Sequence, residues 1–231
     1  MAIIAKQTGT MEYLQAEGIS VPHCFTTRFG GVSGGVYASL NLGMHRGDDP
    51  ENVLENHRLL AKALGYAPEN LVMTRQIHSD IVRAVTKADH RGFDHHGYPE
   101  SDALITDDPG TALLVFTADC TPILLHDPVT GAVGAIHAGW RGTAADIAGK
   151  TVRAMERRFG CDPADIRAAI GPNIAQCCFE TGPEVPEAMV SALGDAAKKW
   201  ILVKNDKYYV NLKEINAQFL RRAGVGFIEI S

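Results

Sequence analysis

Our prediction of the fold starts from residues 122–137, which have the sequence PILLHDPVTGAVGAIH. Two short apolar runs, Pro122–His126 and Ala132–Ile136, lie on either side of the turn Asp127–Gly131. Apolar runs of this length, bounded by Gly, Pro and Asp, are typical of buried strands joined by a turn. A helix is predicted to follow, from about Thr143 to Phe159. The middle of the chain therefore predicts a protein that mixes strands and helices.

Further strands and helices are predicted on both sides of this stretch. The first helix has Asp49 near its cap, Pro50 in its first turn and Gly65 at its end, and these residue types favour those positions. The other predicted helices are 183–193 and 212–223, and the other predicted strands are 21–27, 71–74, 81–86, 102–106, 112–117, 166–170, 200–203, 208–210 and 226–230. The polar segment 87–101 is interpreted as an exposed loop. Because strands and helices alternate irregularly, the sequence predicts an α+β fold with a mixed sheet.

Size and composition indicate one globular domain, which we predict over residues 1–231, with 45% hydrophobic and 21% charged residues. The net charge of −5 argues against nucleic acid as a partner, because nucleic-acid-binding domains carry a basic face. No apolar run approaches the length of a membrane span and the N-terminus lacks signal-peptide features, so we expect a cytoplasmic protein without a membrane partner. The five cysteines lack a disulfide-framework spacing and are expected to be thiols or metal ligands. The sequence does not distinguish a monomer from a dimer.

Three candidate metal ligands each lie at the end of a predicted strand: His78, Cys120 and His137. Two imidazoles and one thiolate suit zinc, and three protein ligands leave a fourth tetrahedral position open for water or substrate, as in catalytic zinc sites. Copper is the alternative metal, because it binds the same ligand types more tightly.

Other interpretations of the same three residues stay open. The separations along the chain match no local metal motif. Cys120 is equally compatible with an inert buried thiol, or with a nucleophilic thiolate that uses His78 or His137 as its base. A fourth protein ligand, Cys178 or an aspartate, would close the site and indicate a structural metal in a non-catalytic protein.

A glycine-rich loop, Arg28–Gly35, has the character of an anion-binding segment. Glycines allow close backbone approach, and an arginine fork binds oxyanions bidentately. The loop lacks the sequence order of a P-loop or a dinucleotide-binding loop, so an ordinary turn is the alternative. Arg141 is the next candidate for binding an anion, with a surface ion pair as its alternative. Asp119 precedes Cys120 and is interpreted as a proton carrier or as an orienting group for the metal ligands.

Several segments together resemble one protein family. They are the three segments around the candidate ligands, Gln76–Asp80, Thr117–Pro122 and Ala135–Gly142, together with Thr26–Ser33, Ala38–Gly43, Gly47–Pro50, Gly171-Pro172 and Cys177–Glu180. The family has been called multicopper polyphenol oxidoreductases or laccase-domain proteins. Its members are better described as zinc-dependent purine nucleoside phosphorylases, and some are named peptidoglycan editing factors. The resemblance covers roughly residues 20 to 182.

The resemblance implies an α-β-β-α sandwich with zinc bound by His78, Cys120 and His137. It also implies phosphorolysis of adenosine, inosine, guanosine and methylthioadenosine, with some adenosine deamination. Within the matching segments we expect Arg28 and Asp119 to be catalytic, and Arg28, Asn41, Gln76 and Arg141 to bind the nucleoside and phosphate.

Two departures from the family are visible in the sequence. Ser79 stands where members often have glycine after the ligand histidine. Members usually continue into a tail with Cys-Thr and Ser-x-Arg-Arg sequences that helps finish the fold and site. This sequence ends at Ser231, which leads us to expect a form without that tail.

Other functions are weighed against the same residues. A four-copper laccase needs about ten histidines, mostly in His-x-His pairs. This chain has nine histidines, two of them His95 and His96 in the polar loop, and no His-x-His. A single copper supporting polyphenol oxidation stays an alternative. So do a cysteine hydrolase acting on peptidoglycan precursors and a non-catalytic metal-binding protein. The His-x-Glu and Pro-Cys-x-x-Cys signatures of dedicated cytidine deaminases are not present.

Overall fold

The computed structural model describes residues 2–93 and 97–231. That part of the chain forms fourteen strands and five α-helices. In chain order they are β1 (Ile3–Thr8), β2 (Met11–Ala16), β3 (Phe25–Thr26), α1 (Pro50–Leu64), β4 (Leu71–Val72), β5 (Val82–Ala84), β6 (Ala103–Thr106), β7 (Ala112–Leu113), β8 (Thr121–His126), β9 (Val133–Ala138), α2 (Trp140–Ala144), α3 (Ile147–Phe159), β10 (Arg167–Ile170), β11 (Glu180–Thr181), α4 (Glu184–Leu193), β12 (Ile201–Lys204), β13 (Lys207–Val210), α5 (Leu212–Arg222) and β14 (Phe227–Ile230).

The hairpin β8–β9 lies in the middle of a mixed six-stranded sheet of order β14-β10-β8-β9-β6-β5. Its register runs from Thr121 opposite Ala138 to His126 opposite Val133. The connecting turn is stabilised by the carboxylate of Asp127, which accepts hydrogen bonds from the amides of Val129 and Thr130. The outer pairs β14/β10 and β6/β5 are parallel, and the inner pairs are antiparallel. The predicted mixed sheet is confirmed.

The two faces of the central sheet are covered by different layers. Ile123 and Leu125 of β8 pack with residues of α3 and α5 in the main core, whereas Leu124 between them faces the opposite side. There it packs with Phe25 in a cluster that the three-stranded sheet β1-β2-β3 helps to form. Leu60 of α1 packs against that sheet from outside. The layers therefore run helix, sheet, sheet, helix, and the α-β-β-α expectation is confirmed.

Helix α1 begins and ends as predicted. The side chain of Asp49 accepts a hydrogen bond from the amide of Glu51 at 3.0 Å, Pro50 is the first helical residue, and Gly65 has a left-handed φ of 74°. None of the helices in the described ranges combines the length and apolarity that a membrane crossing requires.

The single helix predicted over 143–159 is wrong, because the chain forms α2 and α3 with a break at Asp146. Asp146 has a φ of 59°, a left-handed conformation that short polar side chains tolerate, and its carboxylate caps α3 by accepting from the amide of Gly149 at 3.0 Å. Helix α2 itself begins directly after β9, with only Gly139 between Ala138 and Trp140.

Other boundaries also differ from the prediction. The hairpin β1–β2 was not predicted, because β1 is mostly exposed and lacks an alternating apolar pattern. The strand predicted at 21–27 shortens to β3, and that at 112–117 shortens to β7. In the predicted loop 87–101, a short 3-10 helix spans Lys87–Asp89, and Ser101 is buried rather than exposed. His95 and His96 lie outside the described residues.

Candidate metal centre

The three predicted ligands come together at one end of the central sheet. Their ligand atoms all lie within 4.8 Å of one another, and Sγ of Cys120 is 3.8 Å from Nε2 of His78. Cys120 immediately precedes β8, and His137 lies on the neighbouring strand β9, opposite Pro122. His78 is supplied by the segment between β4 and β5. Pairing of β8 with β9 thus brings Cys120 and His137 together, and a hydrogen bond to the Asp102 carboxylate holds the segment of His78 beside them.

A buried aspartate, Asp102, orients both histidines. Its Oδ1 accepts a hydrogen bond from Nδ1 of His137 at 2.8 Å and from the amide of His78 at 3.1 Å. Its Oδ2 accepts from the amide and the hydroxyl of Ser79, both at 2.6 Å, and from the amide of Ile77 at 3.2 Å. Because Nδ1 of His137 carries the proton to Asp102, its Nε2 is left to face a metal, and outer partners of this kind fix the tautomer of ligand histidines.

The backbone at His78 shows why this carboxylate is needed. His78 has a φ of 61°, which is uncommon for a residue other than glycine. Three consecutive amides, those of Ile77, His78 and Ser79, point at Asp102 and hold the segment in that conformation. The imidazole of His78 is thereby placed edge-on to that of His137, with ring centroids 4.9 Å apart.

The charges at the centre favour an ionised aspartate and a neutral His137. Burial raises the pKa of Asp102, but hydrogen bonds from Ser79, His137 and Ile77 more than offset it, so the pKa lies below its ordinary value. Burial lowers the pKa of His137, and Asp102 opposes that shift in part. Burial, together with the charges of Asp119 and Asp102, raises the pKa of the Cys120 thiol. A bound cation would instead lower the pKa of the Cys120 thiol, since coordination deprotonates a thiol.

Gly139 and Gly142 lie so close to the ligand segments that a side chain at either position would clash with them. A Cβ on Gly139 would lie 2.7 Å from Cδ2 of His78 and 3.2 Å from Sγ of Cys120. A Cβ on Gly142 would lie 2.8 Å from the carbonyl oxygen of Ser79. The start of α2 therefore packs directly against the ligand group.

The donor set fits a zinc ion. Zinc–nitrogen bonds of about 2.0–2.1 Å and a zinc–sulfur bond of about 2.3 Å at tetrahedral angles place sulfur and nitrogen about 3.5 Å apart. The 3.8 Å between Sγ of Cys120 and Nε2 of His78 is close to that separation. Within the described residues the group contains three side chains, and Cys178 is not one of them.

The ligand group lies in the wall of a cleft of about 2040 Å³ that the layers leave open. Asn41, Gln76 and Asp119, three of the predicted site residues, also line this cleft. Of the described residues, Arg28 and Arg141 are predicted site residues that do not line it.

The side chain of Gln76 is a bridge between two segments of the site. Its Nε2 donates to the carbonyl oxygen of Phe116 at 2.7 Å, and its Oε1 accepts from the amide of Phe116 at 2.7 Å. The predicted strand ends at Leu113 rather than at Thr117, and beyond it these two hydrogen bonds hold the segment that leads to Cys120. Gln76 therefore positions the site through Phe116.

Asn41 belongs to a polar network beneath the glycine-rich loop. Its Nδ2 donates to Oδ2 of Asp48 at 2.9 Å, and its Oδ1 accepts from the amide of Gly43 at 3.0 Å. Ser33 donates to the same oxygen of Asp48 at 2.7 Å. Hydrogen bonds from Asn41 and then Ser33 lower the pKa of Asp48. Both polar ends of the Asn41 side chain are thus engaged in holding the loop.

The two predicted anion-binding arginines are exposed and have partners of their own. The guanidinium of Arg28 donates from Nε at 3.0 Å and from a terminal nitrogen at 2.6 Å to the carbonyl oxygen of Ala38. That of Arg141 stacks over the ring of Trp140, 4.3 Å from its centroid. Their roles as phosphate ligands stay predictions.

Sequence reasoning missed Asp102, Gly139 and the cations of the cleft wall. Arg46 and Arg75 line the cleft, and Arg75 forms an exposed ion pair with Glu100 at 3.2 Å. Asp102 could have been noticed, because an acidic residue directly before an apolar strand requires buried hydrogen-bond partners.

Residues 22–231 match the protein family described as multi-copper polyphenol oxidoreductase laccase. A purine nucleoside phosphorylase of Deinococcus radiodurans is 41% identical over 220 residues, covering 94% of this chain and 81% of that protein. The purine nucleoside phosphorylase YlmD of Geobacillus stearothermophilus is 40% identical, covering 87% of this chain and 74% of that protein.

Solved structures show the same architecture. The crystal structure of the Bacillus licheniformis hypothetical protein YfiH superposes with a TM-score of 0.90 at 36% identity, covering 98% of this chain and 87% of that one. The layered fold is therefore shared with solved structures over nearly the whole of this chain.

Proposed function

We propose, from the premise that this chain belongs to the multi-copper polyphenol oxidoreductase laccase family, that it is a zinc-dependent purine nucleoside phosphorylase. The family predicted from the sequence motifs is confirmed by the match over residues 22–231. The proposed reaction transfers the ribosyl group of a purine nucleoside to phosphate, releasing the base and ribose-1-phosphate, or the 5-methylthio derivative of that sugar phosphate when the substrate is methylthioadenosine. Adenosine, inosine, guanosine and methylthioadenosine are the proposed substrates, and deamination of adenosine is a proposed secondary activity.

One observation supports the proposal most strongly: an open three-ligand group in the wall of a large cleft. His78, Cys120 and His137 leave a fourth tetrahedral position for a non-protein ligand, as catalytic zinc sites do. The cleft, at about 2040 Å³, is larger than the several hundred Å³ of most small-ligand pockets, so its volume is sufficient for a nucleoside together with phosphate.

Zinc, when bound, supplies Lewis-acid polarisation of a substrate oxygen or a water of lowered pKa. Residues of this chain position the ligands that would hold the ion. Asp102 fixes the orientation of His137 and of the segment that carries His78. Gly139 has no side chain, which allows the start of α2 to pack directly against the ligands. The ribosyl carbon passes through an oxocarbenium-like state, which favours negative charge nearby.

Asp119 supplies a negative charge of this kind. It is exposed in the cleft wall, its backbone oxygen accepts from the amide of Ile174 at 3.0 Å, and its charge acts on Cys120. We propose that its carboxylate accepts a hydrogen bond from a ribose hydroxyl or from a proton-carrying nitrogen of the purine. Gln76 and Asn41 hold the surrounding segments.

Phosphate needs cations or amides near the ribosyl carbon. Arg28 and Arg141 are the candidates from the sequence, and Arg46 and Arg75 are the arginines that line the cleft. We propose that phosphate binds from the side of Arg46 and Arg75, since an arginine fork holds an oxyanion bidentately. The ion pair of Arg75 with Glu100 is exposed and therefore weak enough to exchange for phosphate.

The alternative functions are less well supported. A four-copper oxidase is disfavoured because the ligand group has three side chains in the described ranges and the sequence has no His-x-His. A cysteine hydrolase needs a thiolate, whereas burial and two carboxylates raise the pKa of Cys120. A structural metal site would have four protein ligands. A single copper ion in place of zinc remains the second candidate, because copper binds the same donors.

The test is metal content together with nucleoside turnover. We expect about one zinc per chain in protein purified without added metal, and release of base from adenosine and inosine only with phosphate. Cys120→Ala should lose both zinc and turnover. The control Cys178→Ser, which changes an exposed cysteine outside the ligand group, should keep both. Stoichiometric zinc without turnover of any nucleoside would contradict the phosphorylase proposal, and stoichiometric copper with phenol oxidation would support the second candidate.

A further inference from the structure

Two adjacent cysteines outside the metal centre form an exposed pair of thiols. Sγ of Cys177 lies 3.5 Å from Sγ of Cys178, and both residues are exposed. They lie in a turn in which the amides of Cys178 and Phe179 donate to the carbonyl oxygen of Ala175 at 2.9 and 3.0 Å. The two sulfur atoms are therefore in contact with each other and open to solvent.

The other three cysteines are placed differently. Cys161 is buried and Cys24 is half-buried, and desolvation raises the pKa values of their thiols to about 11 and about 12. Cys120 belongs to the ligand group with His78 and His137. Because thiol oxidation requires a thiolate and access to solvent, Cys177 and Cys178 are the cysteines that an oxidant in solution reaches first.

The contact between the two sulfur atoms places each thiol within reach of its neighbour. A hydrogen bond with Cys177, and then its charge, raise the pKa of Cys178. A sulfenic acid formed on one sulfur atom therefore has a second thiol beside it that can attack it.

We propose that Cys177 and Cys178 form a redox-reactive dithiol that hydroperoxides oxidise to a disulfide between neighbouring residues. The thiolate of one cysteine attacks the terminal peroxide oxygen, the O–O bond breaks, and the product is a sulfenic acid with release of water or alcohol once the leaving oxygen is protonated. The thiol of the other cysteine then attacks the sulfenic sulfur and loses its proton, and the sulfenic oxygen leaves as water. The two thiols together lose two electrons and two protons, and one peroxide is reduced.

The disulfide formed in this way is expected to be easily reduced. Neighbouring Cα atoms are about 3.8 Å apart across a trans peptide bond, whereas disulfides usually join Cα atoms about 4.4–6.8 Å apart. Such a bond is strained, and strained, exposed disulfides are the labile ones. The modification is therefore reversible by ordinary thiols. It does not depend on the proposed phosphorylase activity.

The test treats the zinc-loaded protein with hydrogen peroxide and then alkylates the thiols that remain. Mass spectrometry of the tryptic peptide 168–198 gives the result, because this peptide contains both cysteines and no other cysteine. We expect this peptide to lose two hydrogen atoms and to take up no alkyl group, and to recover both thiols after a brief treatment with a monothiol.

Single substitutions test whether the two cysteines act together. In Cys177→Ser and in Cys178→Ser the remaining cysteine should stop at the sulfenic acid and be captured by dimedone, whereas the unchanged protein should give little capture. Alkylation of both cysteines after peroxide, sulfinic acids in place of the disulfide, or a disulfide between two chains would each overturn the proposal. Because the readout is peptide mass, it is independent of nucleoside turnover.

Discussion

Asp102 contacts several segments of the candidate metal centre, although it is not one of its three candidate ligands. Its two carboxylate oxygens accept from His137, His78, Ser79 and Ile77, and its side chain is fully buried. A buried carboxylate is unfavourable unless its hydrogen bonds are satisfied, so its position is specified as strictly as those of the ligands.

Replacing this carboxylate by an amide should weaken metal binding. In Asp102→Asn one oxygen becomes an NH2 group, which cannot accept from Ser79 or from His137, so the ligands lose their orientation. We expect zinc affinity to fall about 10- to 100-fold, as for other outer partners of ligand histidines. Competition with a chromophoric chelator measures this directly.

The matched control is Ser79→Ala, which removes only the hydroxyl that donates to Asp102 at 2.6 Å and keeps the backbone amide. It should lose much less affinity than Asp102→Asn. Equal affinities in Asp102→Asn and the unchanged protein would show that the carboxylate does not position the ligands.

At the scale of elements, helix α1 and the glycine-rich loop are joined through Asn56. Its Oδ1 accepts from the amide of Val32 at 2.8 Å, and its Nδ2 donates to the hydroxyl of Ser33 at 2.9 Å and to the carbonyl oxygen of Asn41 at 2.8 Å. The side chain is fully buried. The loop thus takes its shape from the helix beneath it, although the two are separated in sequence.

Truncating this side chain should destabilise the protein. Asn56→Ala removes the partners of three polar groups, and we expect the free energy of unfolding to fall by about 2–4 kcal/mol. Urea unfolding followed by circular dichroism measures it. Glu55→Ala, one position earlier on the same helix, removes only an exposed ion pair with Arg58 and should change stability by less than about 1 kcal/mol. Similar losses in the two variants would contradict the assigned role of Asn56.

For the whole molecule, buried histidines make stability depend on pH. His57 is a fully buried residue of α1, with its ring stacked on Phe93 at a centroid distance of 4.8 Å. Burial lowers its pKa from the ordinary 6.5, and a hydrogen bond to the carbonyl of Leu42 opposes this in part. The unfolded chain therefore binds a proton at this site more readily than the folded one. The stabilising contribution is complete above pH 6.5 and is lost as the pH falls from there toward the lowered folded value.

His57→Gln should reduce this dependence, because glutamine does not titrate and can still donate to Leu42. We expect a smaller loss of unfolding free energy between about pH 7.5 and about pH 5.5 than in the unchanged protein. The measurement is urea unfolding at both pH values with a chelator present, since metal binding adds a pH dependence of its own. His90→Gln, in a half-buried loop position, is the comparison variant. An unchanged pH dependence in His57→Gln would refute the assignment.

The local sequence determined those elements whose stabilising groups are near one another in the chain. Helix α1 begins at Asp49-Pro50 and ends at Gly65, and the hairpin β8–β9 turns at Asp127–Gly131, because caps and turns are closed by bonds between residues a few positions apart. The identities of His78, Cys120 and His137 also made a soft or borderline metal one of the candidate interpretations before any geometry was known.

Only the tertiary structure determined which residues surround those ligands. Asp102 meets His137 across 35 positions, and Gln76 meets Phe116 across 40, through pairing that no local pattern encodes. Arg28 and Arg141 looked like phosphate ligands by residue type, yet they lie outside the cleft wall, because a side chain's partners depend on where its element packs. Local sequence patterns therefore predict short-range hydrogen bonds such as caps and turns. The cleft and the orientation of the candidate metal ligands result from how the layers pack together.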